Sequence, residues 1–262
     1  MIKFTLPDKL TFFDFDKIKD DAEIKKGVYY DKPKSLLMLP KTNIIGTIMQ
    51  VPVMTEGNIS TIQGKAKSRK TFFLILLSKL LSNIKLTIID TEQYQYHSAL
   101  MLHRIGNINP QNNITFFNLR KYSIDVRLEF IENYIVHNRP EMMFIDNIRD
   151  CMQDINSWVE TNKILTILTQ LTDEYKTHIV LTLHENPAKE SDKARGAIGT
   201  ELQNKSETVI KLEKNKETDY TKVEGLFCRN IEFDSFEFLI NSDGLPEIIT
   251  DQFASNSEVN IF

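Results

Sequence analysis

From residue 58 the chain alternates short apolar runs with amphipathic stretches. The runs at 58–63, 85–90, 114–118, 142–146 and 178–183 are rich in Ile, Val, Leu, Phe and Met, and each has the length of a strand. Between them, 70–82, 95–105, 123–137 and 157–175 carry apolar residues at helical spacing. Strands that are apolar throughout and separated by helices predict a mainly parallel sheet covered on both faces, an α/β fold. Ligands of such sheets bind beyond the carboxyl ends of the strands, so the residues after each strand are where chemistry is sought.

After residue 184 the rhythm breaks. Glu185 to Gln203 is polar, contains Lys189, Lys193 and Arg195, and is too long for a tight connection, which predicts a mobile or functional loop. Thr208–Leu212, Val223–Cys228 and Ser235–Ile240 predict closing strands, antiparallel at the C-terminal end, with a turn at Asp243–Pro246. Upstream, Gly46–Met54 reads as an extended segment, one side of a hairpin leading to the strand at 58–63. Residues 1–45, with a charged run from Lys17 to Lys26 and prolines at 33 and 40, predict an N-terminal arm or small appendage. The core is then 46–249, and 250–262 a flexible C-terminal tail.

Composition narrows the classes of function. The chain has 262 residues, 41% apolar and 26% charged, with a formal net charge of −4. That length supports one sizeable core, and that charge argues against a broad polyanion-binding face, so any nucleic-acid contact falls to local basic loops. Cys151 and Cys228 lack the spacing of a metal site and read as reduced thiols of a cytoplasmic protein. The N-terminus shows no export signal and no apolar run reaches about 18 residues, so no membrane association is expected.

The strongest chemical signal follows the strand at 58–63. Gly64-Lys65-Ala66-Lys67-Ser68-Arg69-Lys70-Thr71 leads into a helix and resembles a phosphate-binding loop, G-x-x-x-x-G-K-[ST]. Lys70 would reach the β- and γ-phosphates of a nucleotide, and the Thr71 hydroxyl would bind Mg²⁺. The pattern's second glycine is replaced by Arg69. At a helix start, helical φ is expected to suffice there and the side chain to point outward. The strand at 85–90 ends in Asp90-Thr91-Glu92-Gln93, which offers a carboxylate to activate water, or the N-cap of the next helix. The strand at 142–146 ends in Asp146, the Walker B pattern, which would hold Mg²⁺ opposite Thr71. Asn147 and Asp150 read either as supporting groups or as caps. His184 ends the strand at 178–183, where it would sense a γ-phosphate or simply cap the strand.

In this order the motifs resemble the RecA-like P-loop ATPases, including the RepA and KaiC types of hexameric motor, over roughly residues 45–240. The stretch Ser206–Lys216, ending Lys214-Asn215-Lys216, is similar to the family's segment after its second DNA-binding loop. The short form of the phosphate loop also looks like that of uncharacterised RecA-like proteins of phages and mobile elements. The resemblance implies ATP and Mg²⁺ as cofactors and Glu92 as the catalytic carboxylate. It implies that Lys214 and Lys216 complete the site of a neighbouring subunit, hence a homo-oligomer, either hexamer or filament. It also implies that 185–205 faces single-stranded DNA. Two other functions compete: a nucleotide-binding regulatory or assembly module with weak hydrolysis, favoured by Arg69, and a scaffold whose loop is vestigial.

Overall fold

The computed structural model describes residues 42–81, 84–108, 113–186 and 194–249. Residues 1–41 of the expected N-terminal arm, the C-terminal tail, and Lys189 and Lys193 lie outside the described residues, and the end of that arm, Ile44 and Ile45, is part of the first strand. A two-stranded hairpin comes first, β1 (Ile44–Ile48) and β2 (Val51–Thr55). It is followed by β3 (Ile59–Gly64), α1 (Lys70–Leu80), β4 (Leu86–Asp90), α2 (Gln95–Ile108), β5 (Ile114–Asn118), α3 (Ile124–Asn138) and β6 (Met142–Asp146). A 3₁₀ turn (Ile148–Cys151) leads to α4 (Trp158–Tyr175), β7 (His178–His184) and α5 (Gly196–Lys205). The chain closes with β8 (Thr208–Lys214), β9 (Thr221–Cys228), β10 (Phe236–Ile240) and β11 (Pro246–Ile248).

Nine of these strands form one sheet in the order β11-β10-β9-β8-β3-β7-β6-β4-β5. The pairs β3–β7, β3–β8, β6–β7, β4–β6 and β4–β5 are parallel, and β8–β9, β9–β10 and β10–β11 are antiparallel. The expected α/β architecture with a mostly parallel sheet flanked by helices is what is found. One detail differs: β8, read as a closing strand, lies parallel to β3, and antiparallel pairing starts only with β9.

The continuous apolar runs follow from burial on two faces. Alternate residues of one strand enter opposite cores: Ile88, Phe144 and Val180 pack on one side, and Ile89, Met143, Ile145, Ile179 and Leu181 on the other. The first core is closed by α1 and α2, through Phe73, Leu74, Leu77, Met101 and Ile105, and by the β1–β2 hairpin through Ile48, Val53 and Met54. The second is closed by α3, α4 and α5, through Ile131, Ile135, Ile164, Leu168, Ile198 and Leu202. Cys151 is buried and Cys228 half-buried, both as free thiols.

Two segments depart from the sequence pattern. Gly46–Met54 contains most of both strands of a hairpin, because Met49 and Gln50 both take positive φ (51° and 62°) and close a two-residue turn. Turn signals based on Asn and Gly do not reveal it. Part of the expected loop 185–203 is the helix α5. Thr200, Asn204 and Lys205 are exposed, Gln203 donates inward to Gln63 Oε1 (2.9 Å), and Ala197, Ile198, Gly199 and Leu202 are buried. No described helix is long and apolar enough to cross a membrane.

Phe144 is fully buried at the middle of the sheet. Phe144→Ala should destabilise the fold by about 3–5 kcal/mol, measured as a lower urea midpoint with an unchanged m-value.

Candidate functional site

Parallel register brings the ends of the central strands to one edge in two steps: Ile145 lies level with Leu181, so β7 and β3 run on past Asp146. Gly64 pairs with His184 and with Leu212, and Asp90 pairs with Asp146. The residues that follow are stitched sideways by the main chain. Thr91 N–H donates to Asp146 O (2.8 Å) and Leu119 N–H to Asp90 O (2.7 Å). Thr91 Oγ1 donates to Asn147 O (2.9 Å) and accepts from Asn147 N–H (2.9 Å), across a cis Asp146–Asn147 peptide. The strand ends thus form one rigid ledge.

The loop from Lys65 to Arg69 rises from this ledge and turns into α1. Lys65, Ala66 and Lys67 are exposed, whereas Ser68 is buried. Ser68 N–H donates to Lys65 O at 3.1 Å. Gly64 is required by close approach: a Cβ there would lie 2.4 Å from Ser68 Oγ and 2.6 Å from the Leu212 carbonyl oxygen. Ser68 Oγ itself is buried and has no hydrogen-bond partner. The Lys70 ammonium folds back to donate to Gly64 O (3.1 Å), Lys65 O (3.2 Å) and His184 Nδ1 (3.0 Å). Burial pushes the Lys70 pKa down, against the pull of Asp146, Glu92 and Glu185.

Thr71, in the first turn of α1, donates its hydroxyl to Asp146 Oδ2 at 2.9 Å. Thr182, the polar residue within the apolar run of β7, donates to Asp146 Oδ1 at 2.6 Å. Burial raises the Asp146 pKa, the two threonine hydroxyls oppose that rise, and the charges of Asp90 and Glu92 add to it. Asp90 is occupied structurally, accepting from the N–H groups of Glu92 (3.0 Å) and Gln93 (2.9 Å) and from Ser98 Oγ (2.5 Å). The carboxylate left facing the cleft is Glu92.

Glu92 Oε2 accepts from Asn147 Nδ2 at 3.1 Å and faces His184 Nε2 at 3.9 Å. Its carboxyl is held down at about 2. The main cause is the His184 imidazole; burial opposes it, while the Asn147 amide and the Lys70 charge add to it. With Lys70 donating into Nδ1, the ring proton belongs on Nε2, so His184 bridges the lysine and Glu92. Asn147 combines the two roles expected for it, since its Oδ1 also caps Arg149 N–H at 2.7 Å.

Arg69 is the correction. Its φ is +70°, in the left-handed region and not helical. A residue with a Cβ occupies that region at a cost of about 1–2 kcal/mol, which explains why the phosphate-loop pattern asks for glycine there. The side chain does not point outward either, being only 12% exposed. It grips the tip of the β8–β9 hairpin, donating from Nη1 to Asp219 O and from Nη2 to Asp219 Oδ2 at 2.5 Å. Lys214 Nζ holds the other carboxylate oxygen of Asp219 at 2.6 Å.

These groups line a cavity of about 390 Å³. Its polar end holds Ser68 to Thr71, Glu92, Asp146 and His184, and Lys214 lines it within the same chain. Its other end lies between α1 and α2, lined by Phe72, Ile75, Met101 and Arg104. Arg104 stacks over the Phe72 ring at 4.8 Å, and its Nε is buried without a partner. Lys216 is exposed on the hairpin. Sequence reasoning missed Thr182, which a lone polar residue on a buried strand could have flagged. It also missed Asp219, for which spacing offers no signal, and the apolar end of the cavity.

The residues suit a polyphosphate with a hard cation. An orphaned buried hydroxyl, a buried ammonium and a threonine–aspartate pair converge on one cavity, with no other acid competing for the lysine at contact distance. Among the described residues no cluster of three or more His, Cys, Asp and Glu side chains could hold a metal by protein ligands alone. Mg²⁺ has no need of such a cage, because it keeps waters and shares phosphate oxygens. The class defined so far is an α/β protein with a mostly parallel sheet and a basic strand–loop–helix junction at its carboxyl edge. Compared with known proteins, the chain matches no family model and no curated protein.

Because the folded Glu92 pKa lies below its ordinary value of 4.5, the contribution of this group to stability is complete above about pH 4.5. It is lost as pH falls toward 2. Glu92→Gln should therefore show a shallower loss of urea midpoint between pH 4.5 and 2 than the parent.

Proposed function

We propose that this chain is a RecA-like P-loop ATPase that binds Mg-ATP and couples its hydrolysis to single-stranded DNA. The observation that carries the nucleotide reading is the direct hydrogen bond from Thr71 to Asp146, with Lys70 beside it at the loop–helix junction. The strand order, with β7 between the loop strand β3 and the Asp146 strand β6, supports the same reading. DNA coupling rests on the family resemblance of the stretch 185–205.

Mg²⁺ would be held by the Thr71 hydroxyl and, through water, by Asp146, and when bound it neutralises phosphate charge. Lys70 exchanges its two carbonyl partners for phosphate oxygens. Its buried ammonium is poorly solvated, so that exchange is favourable. Glu92, at about 2, is a carboxylate throughout the neutral range and a weak base. Its role is to accept a hydrogen bond from the attacking water and hold it in line, with Asn147 fixing the carboxylate. His184 touches both Lys70 and Glu92, so loss of the γ-phosphate is felt at the end of β7 and by the segment after it. Phe72, Met101 and Arg104 suit the face of a nucleobase.

A second reading, a switch that binds ATP and turns it over slowly, is favoured by the Arg69–Asp219–Lys214 cluster. Asp219 engages two cations of the cavity that a polyphosphate would otherwise recruit.

Steady-state phosphate release with and without single-stranded DNA separates the readings. DNA-stimulated turnover that Glu92→Gln abolishes while ATP still raises the melting temperature supports the motor. Unchanged turnover in Glu92→Gln removes that residue from the mechanism, and no ATP-induced shift in the parent removes the nucleotide reading. In the switch reading, Asp219→Asn should raise ATP affinity or turnover several-fold, and an unchanged value for both excludes the latch.

A further inference from the structure

Beside the phosphate cavity lies a second one, of about 530 Å³, at the carboxyl ends of β4 and β5. It is lined by Gln93, Tyr94 and Gln95 from the first strand end and by Asn118, Arg120 and Lys121 from the second. Asp90 and Asn118 are in register, so the cavity occupies the position between adjacent parallel strand ends where α/β sheets bind ligands.

Its chemistry is uniform. Tyr94, which lines it, is 65% exposed, an aromatic surface left in water. The Arg120 guanidinium lies 5.8 Å from the centre of the Tyr94 ring, and Lys121 lies 5.1 Å from that of Tyr122. No acidic residue lines the cavity, and neither Arg120 nor Lys121 makes an ion pair among the described residues. The carboxamides of Gln93 and Gln95 offer donors and acceptors, while that of Asn118 is engaged within the chain. The Gln93 Nε2 donor is buried and has no hydrogen-bond partner.

The walls are fixed before anything binds. Asn118 Nδ2 donates to Gln93 O (2.9 Å) and to Ser98 Oγ (2.6 Å), tying the two strand ends together. Arg127 of α3 donates to Leu119 O (3.1 Å) and Arg120 O (2.6 Å), which holds the basic turn in place. An exposed aromatic face, an orphaned amide and cations for a phosphate are the features that recognise a nucleotide unit by stacking.

We propose that the cavity between Tyr94 and Arg120 is a second binding site for a nucleotide unit, its base stacked on Tyr94 and its phosphate on Arg120 and Lys121. The unit comes either from a single strand of nucleic acid or from a free mononucleotide. Gln93 lines both this cavity and the phosphate cavity, immediately after Glu92, so occupancy here bears directly on the water-orienting carboxylate. The site does not depend on the ATPase reading, and it is tested without ATP.

The test is fluorescence anisotropy of a labelled dT12 oligonucleotide with the full chain at low salt, repeated with unlabelled dTMP as competitor. Binding that weakens about 10-fold in Tyr94→Ala, weakens in Arg120→Gln, and survives in Tyr94→Phe is expected. Competition by dTMP assigns the free nucleotide as source, and its absence assigns the strand. Tyr94 and Arg120 are surface side chains, and melting temperatures check that their variants stay folded. Neither probe binding, or equal binding by Tyr94→Ala and the parent, overturns the proposal. Lys70→Ala is the control for the phosphate loop: loss of dT12 binding in that variant, with Tyr94→Ala unaffected, places the oligonucleotide at the other cavity and also overturns it.

Discussion

Everything in this structure depends on five parallel strands ending along one edge, with β3 and β7 reaching past β4, β5 and β6. Gly64, Asp90, Asn118, Asp146 and His184 come from segments far apart in sequence, yet ladder register alone places them along one edge. A strand slipped by one residue would turn each of these groups to the opposite face of the sheet. Register is secured by two separate cores, because every strand residue has an apolar environment waiting on its own side. The chemistry at the edge therefore depends on packing several ångströms below it, and the side-chain bonds of the ledge refine what packing has set.

Charge is the second constraint. Asp90, Glu92 and Asp146 lie near one another, and each is managed differently. Asp90 is absorbed by backbone N–H groups and Ser98. Asp146 is buried between two threonine hydroxyls that donate to it without carrying charge. Glu92 is half-exposed and balanced by His184 and Asn147. Three carboxylates are kept close with Lys70 as the nearest compensating charge.

Much of this was legible from residue order. The two-sided apolar runs identified the parallel sheet, and the polar residues after them marked Lys70, Thr71, Glu92, Asp146 and His184, which the fold does bring to one cavity. Long-range pairing was not legible. Nothing local to Arg69 says that its guanidinium will find Asp219, and nothing local to Lys214 says that it lines the cavity of its own chain. The turn at Met49–Gln50 and the helix α5 escaped for a related reason. Their backbone is dictated by tertiary contacts that override weak local propensity.

The central strand β3 has consequences for how the chain is made. Both of its neighbours, β7 and β8, belong to the last part of the chain, and Arg69 meets its partner 150 positions downstream. During synthesis the Gly64–Thr71 loop emerges with both edges of its strand unpaired, and it stays so until the second half follows. Contacts this distant in sequence slow folding and leave open edges exposed on the way. The loop expected to define the protein is thus among the last parts to take shape, and a ribosome stalled before the β8–β9 hairpin would carry a chain unable to form it.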